Sequence, residues 1–279
     1  TMDEYDLRMA EEYLEQYAFS LQLFVQQGDA VDWLEELNGI ETLVIMPRLV
    51  TDILNEKLFT KKLPVVFSSA TLSVKKDFTY IADSLGIEQH HSFSVASPFD
   101  YEEVMKIEGH TVEANEKQAK VIEILSTSLE PTLLLFKTKH DMFLFEQSLT
   151  VDERVKMVFE GERELSSIVR DFQAGRISVL CSYHLWEGLD LPGQSLTRVI
   201  LFDLPFPPSD PLFDAKRDFS NDPFEEVDMP FMLLRLQQGV GRLIRTSADH
   251  GVIHLLLTEQ EKMVQDRFTD ILPVKVNWK

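Results

Sequence analysis

The chain has 279 residues, 44% of them hydrophobic and 10% aromatic, which is enough for one large or two small folded domains and excludes a disordered segment. Its 27 basic and 47 acidic residues leave a formal charge of −20, so it lacks the broad basic footprint of most nucleic-acid binders. Any DNA contact must use a local basic or backbone surface, or another part of a longer protein.

Cys181 is the only cysteine, which excludes intramolecular disulfides and an iron–sulfur cluster held by this chain alone. The seven histidines include no His-Glu-x-x-His, and His90-His91 has no partner at ligand spacing, so no metal site is expected. The apolar runs are too short to span a bilayer and the amino terminus lacks a basic-then-apolar signal, so the expected location is cytoplasmic, with no membrane partner.

Residues 4–27 place Leu7, Ala10, Leu14, Tyr17, Ala18, Leu21 and Val25 among Glu, Gln and Asp, the pattern of a long amphipathic helix ended by Gly28-Asp29. It starts without a clear cap, as if the chain began inside a larger protein. Val31–Leu37 and Thr42–Met46 read as strands separated by an Asn38-Gly39 turn, and Val50–Phe59 as a short helix. Val65-Val66-Phe67 is expected to be a buried strand running into Ser68-Ser69-Ala70-Thr71-Leu72. Residues 77–86 suggest a helix ended by Gly86, and 88–112 an irregular polar stretch.

Strands and helices then alternate. Strands are predicted over Thr132–Phe136, Val155–Phe159, Ile177–Cys181, Arg198–Leu204 and Gly251–Leu257. Helices are predicted over 139–149, 162–173 and 259–270. Near-continuous apolar strands joined by helices imply a parallel sheet covered on both faces, with functional loops at the carboxyl ends of its strands.

The most informative stretch is 231–245. Read at helical period, Leu233, Leu236, Val240 and Leu243 form an apolar stripe, while Gln238, Arg242 and Arg245 fall on the opposite side. Two guanidinium forks and an amide facing one way suit multidentate contact with phosphate oxygens. Gly239 and Gly241 each cost about 1 kcal/mol of helix stability relative to Ala, which makes sense where something approaches the backbone closely. The bland alternative is a surface helix whose arginines pair with neighbouring acids. Gln-x-x-Gly-Arg-x-x-Arg is too particular a string for that, and it resembles motif VI of the two-lobed superfamily-2 helicases, more narrowly the DinG branch of the XPD-like group.

Other segments carry the same resemblance. Ser69-Ala70-Thr71-Leu72 is similar to the helicase motif III that couples nucleotide state to nucleic-acid state. Trp186-Glu187-Gly188, followed by Asp190 and Pro192-Gly193, looks like DinG-branch motif V, with His184-Leu185 where that branch usually has Ser-Phe. Leu204-Pro205-Phe206-Pro207 with Pro211 matches the proline signature of XPD-like second lobes. Leu257-Thr258-Glu259 stands where such proteins usually have Asp-x-Arg. Val199–Phe202 followed by Asp203 imitates a Walker B strand but is continued by Leu204-Pro205. No glycine precedes a lysine, so no phosphate loop accompanies it.

The resemblance implies an α/β, RecA-like carboxyl-terminal helicase lobe over residues 29–279. It is preceded by a helix over residues 1–28 that matches the end of an arch-like insertion. It further implies a DNA-directed ATPase whose ATP and Mg²⁺ are held mainly by an amino-terminal RecA-like lobe of the same protein. Arg242 and Arg245 would serve as arginine fingers. Gln238, Gly241, Glu187, Gly188 and Asp190 would line the nucleotide, and Ser69, Thr71, Ser182 and Trp186 would couple it to a single-stranded DNA track. The alternatives are the ATP-binding regulatory lobe of a DinG-type 3′–5′ exonuclease and a non-hydrolysing nucleic-acid clamp.

Overall fold

A computed structural model describes residues 4–25, 30–37, 39–47, 50–61, 63–69, 71–73, 76–187 and 195–279. In chain order, the elements begin with α1 (Glu4–Val25), β1 (Ala30–Leu37), β2 (Ile40–Pro47), α2 (Val50–Lys57), α3 (Thr79–Leu85) and α4 (Tyr101–Val104). Then come β3 (Met105–Thr111), α5 (Lys117–Thr127), β4 (Thr132–Leu135), α6 (Lys139–Ser148), α7 (Val151–Arg154), β5 (Met157–Phe159) and α8 (Leu165–Gln173). The series ends with β6 (Val179–Ser182), β7 (Arg198–Leu201), α9 (Pro211–Asp218), α10 (Met229–Val240), β8 (Gly251–Leu257), α11 (Glu259–Lys262) and β9 (Val276–Trp278).

Packing divides the chain into two compact units. Residues 1–69, 78–92 and 209–227 form one, and residues 70–77, 93–208 and 228–279 the other. The segment 30–69 therefore groups with α1, whereas the sequence reading places its boundary at residue 28. In the first unit β1 and β2 pair antiparallel from Ala30↔Pro47 to Leu37↔Ile40. That register leaves a two-residue connection, and Gly39 has φ +78°, a conformation that favours glycine. Gly86 closes α3 in the left-handed region, its amide donating to the Asp83 carbonyl at 3.1 Å. The strand expected at Val65–Phe67 does not form. The segment is exposed, Val66 to 88%, and three apolar residues in a row cannot by themselves distinguish a buried strand from an extended surface stretch.

The second unit is built on a seven-stranded sheet in the order β5-β6-β4-β7-β8-β3-β9, every pair parallel. Side chains alternate between its faces. Leu133, Leu135, Leu180, Val199, Leu201, Ile253 and Leu255 join a core with Ile168 and Phe172 of α8 and Met232, Leu236 and Val240 of α10. Leu134, Phe136, Cys181, Ile200 and Leu256 join the opposite core, with Val121 and Ile124 of α5 and Met142 and Phe145 of α6. Both faces are covered, which is why the central strands read as unbroken apolar runs. Burial also pushes the Cys181 thiol well above its ordinary pKa, so it stays protonated and unreactive.

Two strands and four helices, α4, α5, α7 and α9, were not legible. β3 lies in the stretch expected to be irregular, because Lys106, Glu108 and His110 occupy every second position and mask its apolar partners Met105 and Ile107. β9 is only three residues long, and α5 begins with a buried lysine. The helix expected over 259–270 is instead α11 followed by a 3₁₀ segment, Gln265–Asp270.

Candidate functional site

The parallel register brings the carboxyl ends of β5, β6, β4 and β7 together; Ser182 ends β6, Trp186 and Glu187 lie on the loop that leaves it, and Gln238, Arg242 and Arg245 come from the end of α10 and the turn after it. Glu160, one residue beyond β5, organises the loop that leaves β6. Ser182 Oγ donates to Glu160 Oε2 at 2.5 Å, and the Tyr183 and His184 amides donate to the same oxygen at 3.1 and 3.2 Å. His184 Nδ1 bonds the other carboxylate oxygen. Burial would raise the Glu160 pKa, but the hydrogen bonds from Ser182, His184 and the two amides outweigh it and hold the carboxyl below its usual range. Ser182 Oγ also accepts from the Leu185 amide at 3.0 Å.

This fold of the loop drives Trp186 inward until it is 1% exposed, with its indole N–H donating to the Phe136 carbonyl at 2.8 Å. The ring lies against Gly239 of α10, where a β-carbon would come within 2.8 Å of it. The close approach anticipated at Gly239 is thus made by the protein's own tryptophan. The Arg235 guanidinium sits 5.4 Å from the Trp186 ring centre and donates to the Tyr183 carbonyl at 3.2 Å.

The helix expected to run through residue 245 ends at Val240. Beyond it the backbone tightens, with the Arg242 amide donating to the Gly239 carbonyl at 3.2 Å and the Leu243 amide to that of Val240 at 3.3 Å. Glycines at 239 and 241 weaken helical propagation, and the buried Asp249 captures the next amides. Its Oδ2 accepts from the Arg245 and Thr246 amides, each at 2.8 Å, and its Oδ1 from Thr246 Oγ1 at 2.8 Å. Arg242 and Arg245 therefore stand on a turn after α10 and not on its surface. Leu233, Leu236, Val240 and Leu243 are all buried as the stripe predicts. Arg242 Nε donates to the Trp186 carbonyl at 2.7 Å, which fixes that side chain beside the loop from β6.

The remaining predicted residues separate. Gln238 Nε2 donates to Thr71 Oγ1 at 3.4 Å, linking the two segments that resemble motifs VI and III. Ser69 is exposed, and Gly241 and Glu187 are exposed as well. Gly188 and Asp190 lie outside the described residues. Ser182 and Trp186 are buried and spend their polar atoms inside the protein, so they shape the loop instead of presenting a surface to nucleic acid.

Sequence reading missed Glu160, Arg235 and Asp249. Only Asp249 had a local signal, a short polar turn entering a strand. Asp203, rejected as a Walker B acid, is occupied otherwise. Its Oδ1 accepts from the buried Lys117 Nζ at 2.6 Å, and Lys117 also reaches Glu261 Oε2 at 3.0 Å. Burial raises the Asp203 pKa against the opposing pull of Lys117. Thr258, at the altered Asp-x-Arg position, caps α11 in a reciprocal box with Glu261.

The helicase C-terminal domain family matches this sequence over residues 121–274. That stretch holds the strands β4 to β8, the loop of Trp186 and the turn of Arg242. The chain belongs to that family. This helicase C-terminal domain is of the DinG/XPD-like superfamily-2 kind. It is 46% identical over 280 residues to the probable ATP-dependent helicase YpvA of Bacillus subtilis, covering 99% of this chain and 43% of that protein. It is 33% identical over 238 residues to the ATP-dependent DNA helicase YoaA of Escherichia coli (79% of this chain, 37% of that one). It is 29% identical over 287 residues to the 3′-5′ exonuclease DinG of Bacillus subtilis (91% and 30%). The chain thus spans less than half the length of these relatives. The structure named XPD_Helicase superposes on all of this chain and 56% of its own with a TM-score of 0.66 at 16% identity, a likeness of fold. Among the described residues no helix is long and apolar enough to cross a membrane.

Proposed function

We propose that this helicase C-terminal domain completes the ATPase site of a DNA-directed motor, with Arg242 and Arg245 as the arginine fingers. The observation that carries the reading is the Arg242 side chain pinned at 2.7 Å to the Trp186 carbonyl, which joins the motif VI turn directly to the motif V loop. The donor set fits a polyphosphate. Two guanidinium groups and the Gln238 amide leave one helix end, on a backbone held by Asp249. ATP, with Mg²⁺, supplies a transferable γ-phosphoryl group, and an amino-terminal RecA-like lobe holds most of it, since this chain has no Gly-x-x-x-x-Gly-Lys-Ser/Thr. Arg242 and Arg245 supply positive charge to that group, and Gln238 orients the turn and, through Thr71, reports to the motif III segment. Glu187, on the loop of Trp186, with Gly188 and Asp190 next to it in the sequence, is assigned to link the nucleotide cleft to a single-stranded DNA track.

The test uses the full-length protein. Nucleotide affinity and DNA-stimulated phosphate release are measured on wild type, Arg242→Ala and Arg242→Lys. Arg242→Ala is expected to lower turnover by about 10³–10⁵ while nucleotide still binds, and Lys to rescue poorly because one ammonium cannot present the guanidinium fork. Unchanged turnover in both variants would refute the assignment and favour a non-hydrolysing clamp. The relative named as a 3′-5′ exonuclease supports a second reading, in which the same site regulates a nuclease elsewhere in the protein. It predicts ATP-dependent changes in DNA cleavage that Arg242→Ala abolishes.

A further inference from the structure

On the α5 side of the sheet, β3 and β8 interrupt an otherwise apolar layer with three polar side chains. Glu108 pairs in register with His254 across the two strands, and His110 follows Glu108 by two residues on the same face. His110 and His254 are buried, 4% and 8% exposed. Their donor atoms converge. His110 Nε2 lies 3.0 Å from His254 Nδ1, His254 Nδ1 lies 3.5 Å from Glu108 Oε2, and His110 Nε2 lies 4.0 Å from that same oxygen.

A triangle with those sides has a point about 2.1 Å from all three atoms, the length of zinc–nitrogen and zinc–oxygen bonds. The three atoms face a cleft of about 340 Å³, so a fourth position is open to water or to Glu123 at its rim. We propose that Glu108, His110 and His254 form a binding site for a divalent ion of the zinc type, which ties β3 to β8.

The simplest competing reading is a hydrogen bond between two neutral imidazoles. The sheet makes that pair an equally good precursor of a metal site. One proton lies between the rings, and ligation moves it to the outer nitrogen of its own ring without net release. Cations also line the cleft, but each has a carboxylate partner: Lys120 with Glu123, Arg198 with Glu130 and Lys279 with Glu108. An anion is therefore a poorer occupant than a metal. Lys279 is the direct competitor, its Nζ 2.7 Å from Glu108 Oε2. Its side chain is 58% exposed and can swing away.

The experiment uses the purified chain without a polyhistidine tag, stripped with a chelator. Zinc is titrated against a chromophoric chelator, and cobalt(II) is followed by visible absorption. One zinc per chain is expected, with a four-coordinate cobalt spectrum and a thermal midpoint that rises with zinc. His254→Ala and Glu108→Gln should weaken binding by more than the 10–100-fold typical of losing an outer-shell partner. The control His90→Ala should leave it unchanged. Lys279→Met touches no core residue and should tighten binding by removing the competing ammonium. Absence of stoichiometric zinc, zinc retained at full affinity by His254→Ala, or no tightening in Lys279→Met would each overturn the proposal.

Discussion

A methyl group on Gly239 would sit 2.8 Å from the Trp186 ring, whereas one on Gly241 would meet only the Gln237 and Gln238 carbonyl oxygens at 3.2 and 3.4 Å. Gly241 has φ −65°, which any residue adopts, and is exposed. The two glycines of one motif therefore have different reasons to be glycine. Trp186 cannot retreat, because its indole N–H is held by Phe136 and Arg235 covers it. Gly239→Ala is expected to destabilise the domain by about 1–3 kcal/mol through overpacking. Gly241→Ala should stay within about 1 kcal/mol of wild type, the smaller conformational entropy of the unfolded chain offsetting the tight carbonyl contact. Chemical denaturation of both variants checks this, and equal losses would show that the Trp186 contact is not the reason for Gly239.

At the scale of elements, one carboxylate holds the loop that leaves β6. Glu160 accepts from Ser182 Oγ and from two consecutive amides on one oxygen, so Glu160→Gln can keep these three bonds by turning its NH2 toward His184 Nδ1, but it exchanges a charged acceptor for a neutral one. A loss of about 1–3 kcal/mol follows from replacing these charge-assisted hydrogen bonds with neutral ones. Faster hydrogen exchange at the Tyr183, His184 and Leu185 amides, read by mass spectrometry, locates it. The pH dependence has a definite sign. The Glu160 pKa is depressed in the folded protein, so its contribution is fully present above the ordinary glutamate value of 4.5 and is lost as pH falls below it through the folded value. Acid titration should therefore expose these amides in wild type and change little further in Glu160→Gln. Identical acid profiles would assign the loop's stability to other contacts.

For the whole molecule, the proposed function makes a domain with Arg242 and Arg245 but no phosphate loop one half of a catalytic apparatus, and its net charge of −20 opposes DNA. The isolated chain is expected to fold, to release no phosphate from ATP with or without single-stranded DNA, and to bind that DNA weakly with steep loss in salt. DNA-stimulated turnover removed by Arg242→Ala would show that one lobe is sufficient. Tight, salt-insensitive binding in fluorescence anisotropy would contradict a track shared between lobes.

The sequence alone determined the class of fold, because strands buried on both faces must be continuously apolar and β4, β6, β7 and β8 are so within a few residues. It also determined the helicase resemblance and the missing phosphate loop, since both are local strings read without any contact. It determined that Leu233, Leu236, Val240 and Leu243 face inward, since three of them share a helix and the tightened turn keeps Leu243 near the same direction.

Where that helix stops has a local cause that its apolar stripe does not reveal, since Asp249 captures the amides three and four residues before it. Tertiary structure decided other points. It decided that Ser182 and Trp186 are internal, because their partners Glu160 and Phe136 stand 22 and 50 residues away. It placed β3 in the sheet, where pairing with β8 outweighs the polar residues at every second position. His110 and His254 met for the same reason. They are 144 residues apart, a separation no ligand-spacing rule spans, and only the parallel register of two neighbouring strands brings their nitrogens within reach of one another.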